Sequence, residues 1–217
     1  MKKYRVLTSI LLVAFLLMGS SYAAWSDTLI LDHNVTTGTL DVDWQPDADY
    51  TFSGLSNYYS PSIPVDPSCT MDIAYPIDET ETLSVTINNM YPGVQAYYFF
   101  WQQNMGTLPA KFESASVDLS GSDPGALSNI IYSINLFLYQ NDTNTYQWIN
   151  GYYGPVTGVE TFINSNLAGK ILDPGDSITT NGDMEGQLSF FLLPNTAEND
   201  SQGQFLNFDI TFTWVQP

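Results

Sequence analysis

An all-β sandwich is the fold class this sequence predicts, and three observations predict it. Apolar residues recur with period two, proline–glycine turns separate the runs, and helical periodicity is hard to find. The cleanest run is 205–215: Leu206, Phe208, Ile210, Phe212 and Trp214 point one way, and Asn207, Asp209, Thr211 and Thr213 the other. In a strand that pattern gives one core face and one solvent face.

Taken in order, further strands are expected over 39–44, 83–87, 94–101, 115–119, 130–139 and 187–193. The runs 94–101 and 130–139 are apolar on both faces, as expected between a core and a second layer. Tyr91-Pro92-Gly93, Asp123-Pro124-Gly125, Tyr153-Gly154-Pro155 and Asp173-Pro174-Gly175 punctuate them. Proline presets the first turn dihedral and glycine accepts positive φ. Residues 45–82 alternate weakly and carry prolines at 46, 61, 64, 67 and 76, so they read as a long loop or lid. Residues 141–153, rich in Asn, Thr, Tyr and Gly, read as a second long loop. No low-complexity linker interrupts 25–217, which reads as one domain.

Residues 1–24 read as a signal peptide. Lys2, Lys3 and Arg5 precede the apolar run 6–18, and small residues follow it. The run is short against the roughly 20 residues of a bilayer span, although an uncleaved anchor is the alternative. The small-x-small rule favours cleavage after Ala23, because a cut after Ala24 places bulky Tyr22 three residues upstream. The expectation is a secreted protein, in the matrix or at the cell surface, touching membrane only through this segment before cleavage.

The chain carries 23 acidic and 5 basic residues, for a net charge of −18. Removing the signal leaves Lys111 and Lys170 against the 23 acids, a charge of −21. Such a surface repels nucleic acid and anionic lipid and keeps a secreted protein soluble. With 44% hydrophobic residues there is ample material for a core. The single cysteine, Cys69, has no internal disulfide partner and reads as a buried thiol.

Catalytic constellations are not evident. His33 is the one histidine, and it alternates with Leu29, Leu31 and Val35 as part of a strand. No His-Glu-x-x-His or Gly-x-Ser-x-Gly motif accompanies it. Acidic groups cluster at Asp41/Asp43, Asp47/Asp49 and Asp78/Glu79/Glu81, on solvent faces or in loops. A glycosidase pair about 5–10 Å apart stays open at this stage. No metal site and no cofactor are expected. Tyr146, Trp148, Tyr152 and Tyr153 are placed either to stack on sugar rings or to cap the sandwich. Asn34, Asn141 and Asn199 each begin an N-x-S/T glycosylation pattern.

The stretch Tyr22-Ala23-Ala24-Trp25-Ser26-Asp27, followed by Thr37-Gly38-Thr39-Leu40-Asp41, resembles the N-terminus of the TasA/camelysin-like family of exported proteins. Residues 85–93 and the Asn104-Met105-Gly106-Thr107-Leu108-Pro109 unit resemble that family's "N-x-G-x-x-P" region, and Gln202-Gly203 its closing hairpin. The resemblance implies a jelly-roll sandwich and a type-W signal peptidase that cuts after Ala24, leaving Trp25 as N-terminus. It also implies fibre formation by donor-strand exchange, with copies of the chain as partners and other matrix or surface proteins as further ones. The donor would be residues 25–35, with Leu29, Leu31 and Val35 as anchors, Trp25 as terminal plug and His33 within the strand. Two alternatives remain: a monomeric carbohydrate-binding module or adhesin, and a camelysin-like secreted metallopeptidase. Camelysin carries a metallopeptidase label, but no ligand set in this sequence supports that activity, so a non-enzyme is expected.

Overall fold

The final alternating run is the central strand of one of two packed sheets. The computed structural model describes residues 11–14, 38–45, 53–57, 62, 64–74, 82–180, 188–192 and 203–217. The chain divides into two compact units, residues 1–37 and 38–217. In the first, residues 11–14 are helical, with Leu11, Leu12 and Val13 exposed. The second is a β-sandwich.

Its strands are β1 (Val42–Gln45), β2 (Gly54–Asn57), β3 (Thr70–Ala74), β4 (Thr82–Met90), β5 (Val94–Tyr98), β6 (Trp101–Asn104) and β7 (Ala110–Asp118). There follow β8 (Ile130–Gln140), β9 (Thr145–Pro155), β10 (Ile171–Leu172), β11 (Ser177–Thr179), β12 (Leu188–Leu192) and β13 (Gln204–Val215). Among the described residues two α-helices interrupt them, α1 (Pro124–Asn129) and α2 (Val159–Leu167), the second preceded by a 3-10 turn at Val156–Gly158.

One sheet runs β10-β7-β13-β4-β3. The other runs β1-β6-β11-β8-β12-β5-β2, with β9 on β8. Because β9 pairs with β8 over residues 131–140, β11 and β12 must share the opposite edge of β8, end to end. In the same way β6 and β5 form one line, and β1 and β2 another. The strands β4, β13, β7 and β10 in one sheet, and β5/β6, β11/β12, β8 and β9 in the other, have jelly-roll connectivity. To this frame the N-terminal part adds an outer strand on each sheet, β1/β2 and β3.

The core lies between the sheets. Alternate residues of β13 from Gln204 to Trp214 are buried, as the period-two pattern requires. Phe208 stacks on Tyr132 at 5.3 Å and meets Phe190 at 5.2 Å; Phe212 touches Trp44 at 5.2 Å and Phe112 at 5.8 Å. The Trp214 indole N–H donates to the buried Gln102 amide oxygen at 3.0 Å, tying the sheets across the core. Burial, and the neighbouring Tyr98 phenol, hold the Tyr132 hydroxyl proton well above the ordinary tyrosine pKa.

Several expectations need correction. Residues 45–82 are not one lid: they contain β2 and β3, which edge both sheets. Residues 141–153 are not a loop beyond the turn at 141–144, because β9 occupies 145–155 and pairs with β8 over residues 131–140. A bulge opposite Leu136/Phe137 shifts the faces of β9 by one residue and so erased its alternation. Strands β5 and β8 are buried on one face and half-buried on the other, rather than covered on both. Helix α2 is also real: Val159, Ile163 and Leu167, at i, i+4 and i+8, are buried. Its β-branched residues and its asparagines weaken helix propensity, so two helical turns did not stand out.

Candidate functional site

The two long sides of the sandwich differ in how they treat their strand edges. An edge strand presents unpaired N–H and C=O groups that invite another strand. On one side α2 packs against both β7 and β9. The Asn164 side-chain oxygen accepts from the Ala115 N–H at 2.8 Å, while its amide nitrogen donates to the Ala115 carbonyl at 2.8 Å. Two residues on, the Glu160 carboxylate accepts from the Val117 N–H at 2.9 Å. These side chains substitute for a neighbouring strand. On the β9 side Tyr152 lies over Phe162 at 5.2 Å, and the Asn150 amide donates to the Asn166 oxygen at 2.8 Å.

Across the sandwich, β2 ends one sheet and β3 the other, and among the described residues each pairs on one side alone. Between them lies a cleft of about 400 Å³ lined by Ser53, Gly54, Leu55, Met71 and Ile73. Leu55, Met71 and Ile73 are half-buried and pack onto the core cluster, so the floor of the cleft is apolar. Two bare backbone edges flanking an apolar floor can take an extended segment whose alternate side chains point inward. No described cation borders it. Lys111 and Lys170 sit by the β7–β10 pair.

The N-terminal strand β1, on the same sheet edge as β2, is locked at its start by the segment that follows β6. The Thr39 carbonyl accepts from the Thr107 and Leu108 N–H groups, and the Asp41 carbonyl from those of Met105 and Gly106, at 2.8–3.1 Å. A Cβ on Gly106 would strike the Thr39 carbonyl and the Asp41 nitrogen, so glycine is required for this approach. Asn104, buried, donates to the Leu108 and Leu172 carbonyls at 2.9 Å and accepts from Gly106 N–H at 3.0 Å. The 37–41 and 104–109 motifs of the sequence thus meet in space from Gly38 onward.

A larger hollow of about 730 Å³ lies at the β4–β5 turn, lined by Pro64, Asp66, Ser68, Asn89, Tyr91, Pro92 and Gly203. Its carboxylate, Asp66, already accepts from the Ser68 N–H at 2.8 Å, and that bond lowers its pKa. Asp43 is shifted upward by burial and by Asp41. Cys69 is buried, as expected, and burial with the nearby Asp66 charge pushes its thiol up to about 11. Among the described residues no group of three His, Cys, Asp or Glu side chains is placed to hold a metal ion.

Comparison with protein-family models, with curated proteins and with solved structures finds no match.

Of the residues singled out in the sequence, Ala24, Trp25, Leu29, Leu31, His33, Val35, Asn34 and Asn199 lie outside the described residues. Asn141 is exposed in the β8–β9 turn, and its N–H donates to the Asp176 carboxylate at 2.9 Å. Tyr146 and Tyr152 pack on neighbours, whereas Trp148 and Tyr153 are 60% and 68% exposed. Sequence reasoning missed Leu55, Met71 and Ile73. Their one signal is the Met71-x-Ile73 alternation.

Proposed function

We propose that this chain is a secreted, non-enzymatic structural subunit of an extracellular fibre or biofilm matrix, polymerising head-to-tail by donor-strand exchange. The observation that carries the reading is the apolar cleft between β2 and β3, whose outer edges are unpaired among the described residues. Residues 25–35 of one copy occupy that cleft in the next, with Leu29, Leu31 and Val35 directed at Leu55, Met71 and Ile73. The proposed donor, residues 25–35, is followed closely in sequence by Thr39 and Asp41, whose carbonyls are held by the 105–108 backbone. Such an interface is heterologous and grows into filaments unless it closes into a ring. Cleavage after Ala24 frees the donor end at Trp25. Resemblance to the TasA/camelysin-like family points the same way. Among the described residues no helix is long and apolar enough to cross a membrane.

The test is negative-stain microscopy of the chain beginning at Trp25, at raised concentration. Filaments are expected, and a chain beginning at Thr36 should remain monomeric. Filaments that persist without residues 25–35 would reject donor-strand exchange.

A further inference from the structure

The outer face of the β8–β9 ribbon is aromatic. Cross-strand partners share a face, so Tyr146 lies beside Tyr139, Trp148 beside Phe137, Gly151 beside Asn135 and Tyr153 beside Ser133. At one end Trp101, Tyr139 and Tyr146 hold one another, with ring centres 5.0–6.2 Å apart, and the Tyr139 hydroxyl donates to Asn144 at 3.0 Å. This fixes the base of the platform. Beyond it Trp148 and Tyr153 stand 60% and 68% exposed.

Between these two rings the ribbon makes room for an amide. A Cβ on Gly151 would come within 2.6 Å of the Asn135 side-chain oxygen, so the missing side chain is what lets Asn135 lie there. Asn135 is half-buried, and its amide has no hydrogen-bond partner among the described residues. A donor and an acceptor are therefore offered to solvent between two flat apolar surfaces.

We propose that this face binds a neutral polysaccharide laid along the ribbon, with Trp148 and Tyr153 stacking on sugar rings and Asn135 hydrogen-bonding the hydroxyls between them. Aromatic faces take up the C–H faces of sugars as they take up other apolar surface, and amides match hydroxyls. Trp148 and Tyr153 face positions four residues apart on β8, roughly 14 Å along the strand, so a polymer is needed to reach both. Charge selects against the other flat-ringed ligand: the mature chain carries −21, and the described cations Lys111 and Lys170 lie by β10, in the other sheet. A phosphate backbone finds no counter-charge here. The face lies at the β9 end of the sheet, remote in strand order from the β2–β3 cleft, so this inference stands independently of strand exchange.

Affinity electrophoresis of the mature chain through gels containing hydroxyethyl cellulose, xylan, glucomannan or a linear α-glucan tests it, with alginate as the anionic control. At least one neutral polymer should retard the protein. Trp148→Ala and Tyr153→Ala should each weaken that binding at least tenfold without moving the melting temperature. Asn135→Leu should weaken it while the fold, checked by circular dichroism, is kept. No retardation by any neutral polymer, retardation by alginate alone, or retention unchanged in the Trp148→Ala/Tyr153→Ala double variant would overturn the proposal. So would sedimentation showing that the double variant only reduces self-association, which would assign the face to a second copy of the chain.

Discussion

One long side of the sandwich is closed by a helix, while the other ends in two strand edges over an apolar cleft. On the closed side Asn164 and Glu160 reproduce, with side chains, the hydrogen bonds a further strand would make to β7. On the open side β2 and β3 have no such cover among the described residues, and Leu55, Met71 and Ile73 are only half-buried. The difference teaches that edge protection is a residue-level device. Among the described residues it is present along β7 and absent at β2 and β3, which is what the proposed strand exchange asks of a receiving edge.

The sharpest way to break the comparison is through the anchors of each side. Ile163→Ala, under α2, should cost about 2–5 kcal/mol in chemical denaturation, because a fully buried branched side chain leaves a cavity. Ile73→Ala, in the half-exposed cleft, should cost about 1 kcal/mol in the monomer. Equal losses at the two sites would erase the distinction.

Next comes the edge itself. Asn164→Leu strips partners from both backbone groups of Ala115 and should cost about 1–3 kcal/mol. It should also make the protein associate with rising concentration, read by light scattering, because the β7 edge becomes available to another strand. A less stable but strictly monomeric variant would show that α2 stabilises without guarding.

A smaller effect is expected at Cys69, beside β3. Its thiol is held protonated to about pH 11 against an ordinary value of 9.0. The unfolded chain therefore loses its proton first, and this group's contribution to stability is complete below pH 9 and declines between about pH 9 and 11. A denaturation series across that window, compared with Cys69→Ala, should show the alkaline decline lessened in the variant. Thiol labelling at pH 8 should be slow until the protein is unfolded.

The sandwich was legible where strands are long and one face is buried. Strand β13 announces itself through Leu206 to Trp214, and β8 through Ile130 to Leu138. The strand order was not legible from alternation. It entered only as what the family resemblance implied, and the pairings of β4, β7 and β13 bear it out. What escaped notice has physical reasons. Strands β2 and β3 are four and five residues long, too short for a period to register among prolines. The bulge in β9 moves Tyr153 onto the face of Trp148, where strict alternation from Trp148 would not place it. The cleft needs Leu55 and Ile73 from different sheets, a long-range pairing that no local pattern encodes. The Asn104–Gly106 lock was visible as a motif, yet its purpose, clearance for Thr39 and Asp41, required the fold.

Mixing two crippled subunits tests the central claim most directly. A chain beginning at Thr36 keeps the cleft and lacks the donor; a chain beginning at Trp25 with Met71→Lys and Ile73→Lys keeps the donor and lacks an apolar cleft. Each alone should elute as a monomer in size-exclusion chromatography with light scattering, and their mixture should give a one-to-one complex and no filament. A mixture that stays monomeric, or a cleft variant that still polymerises, would contradict strand exchange at the β2–β3 cleft.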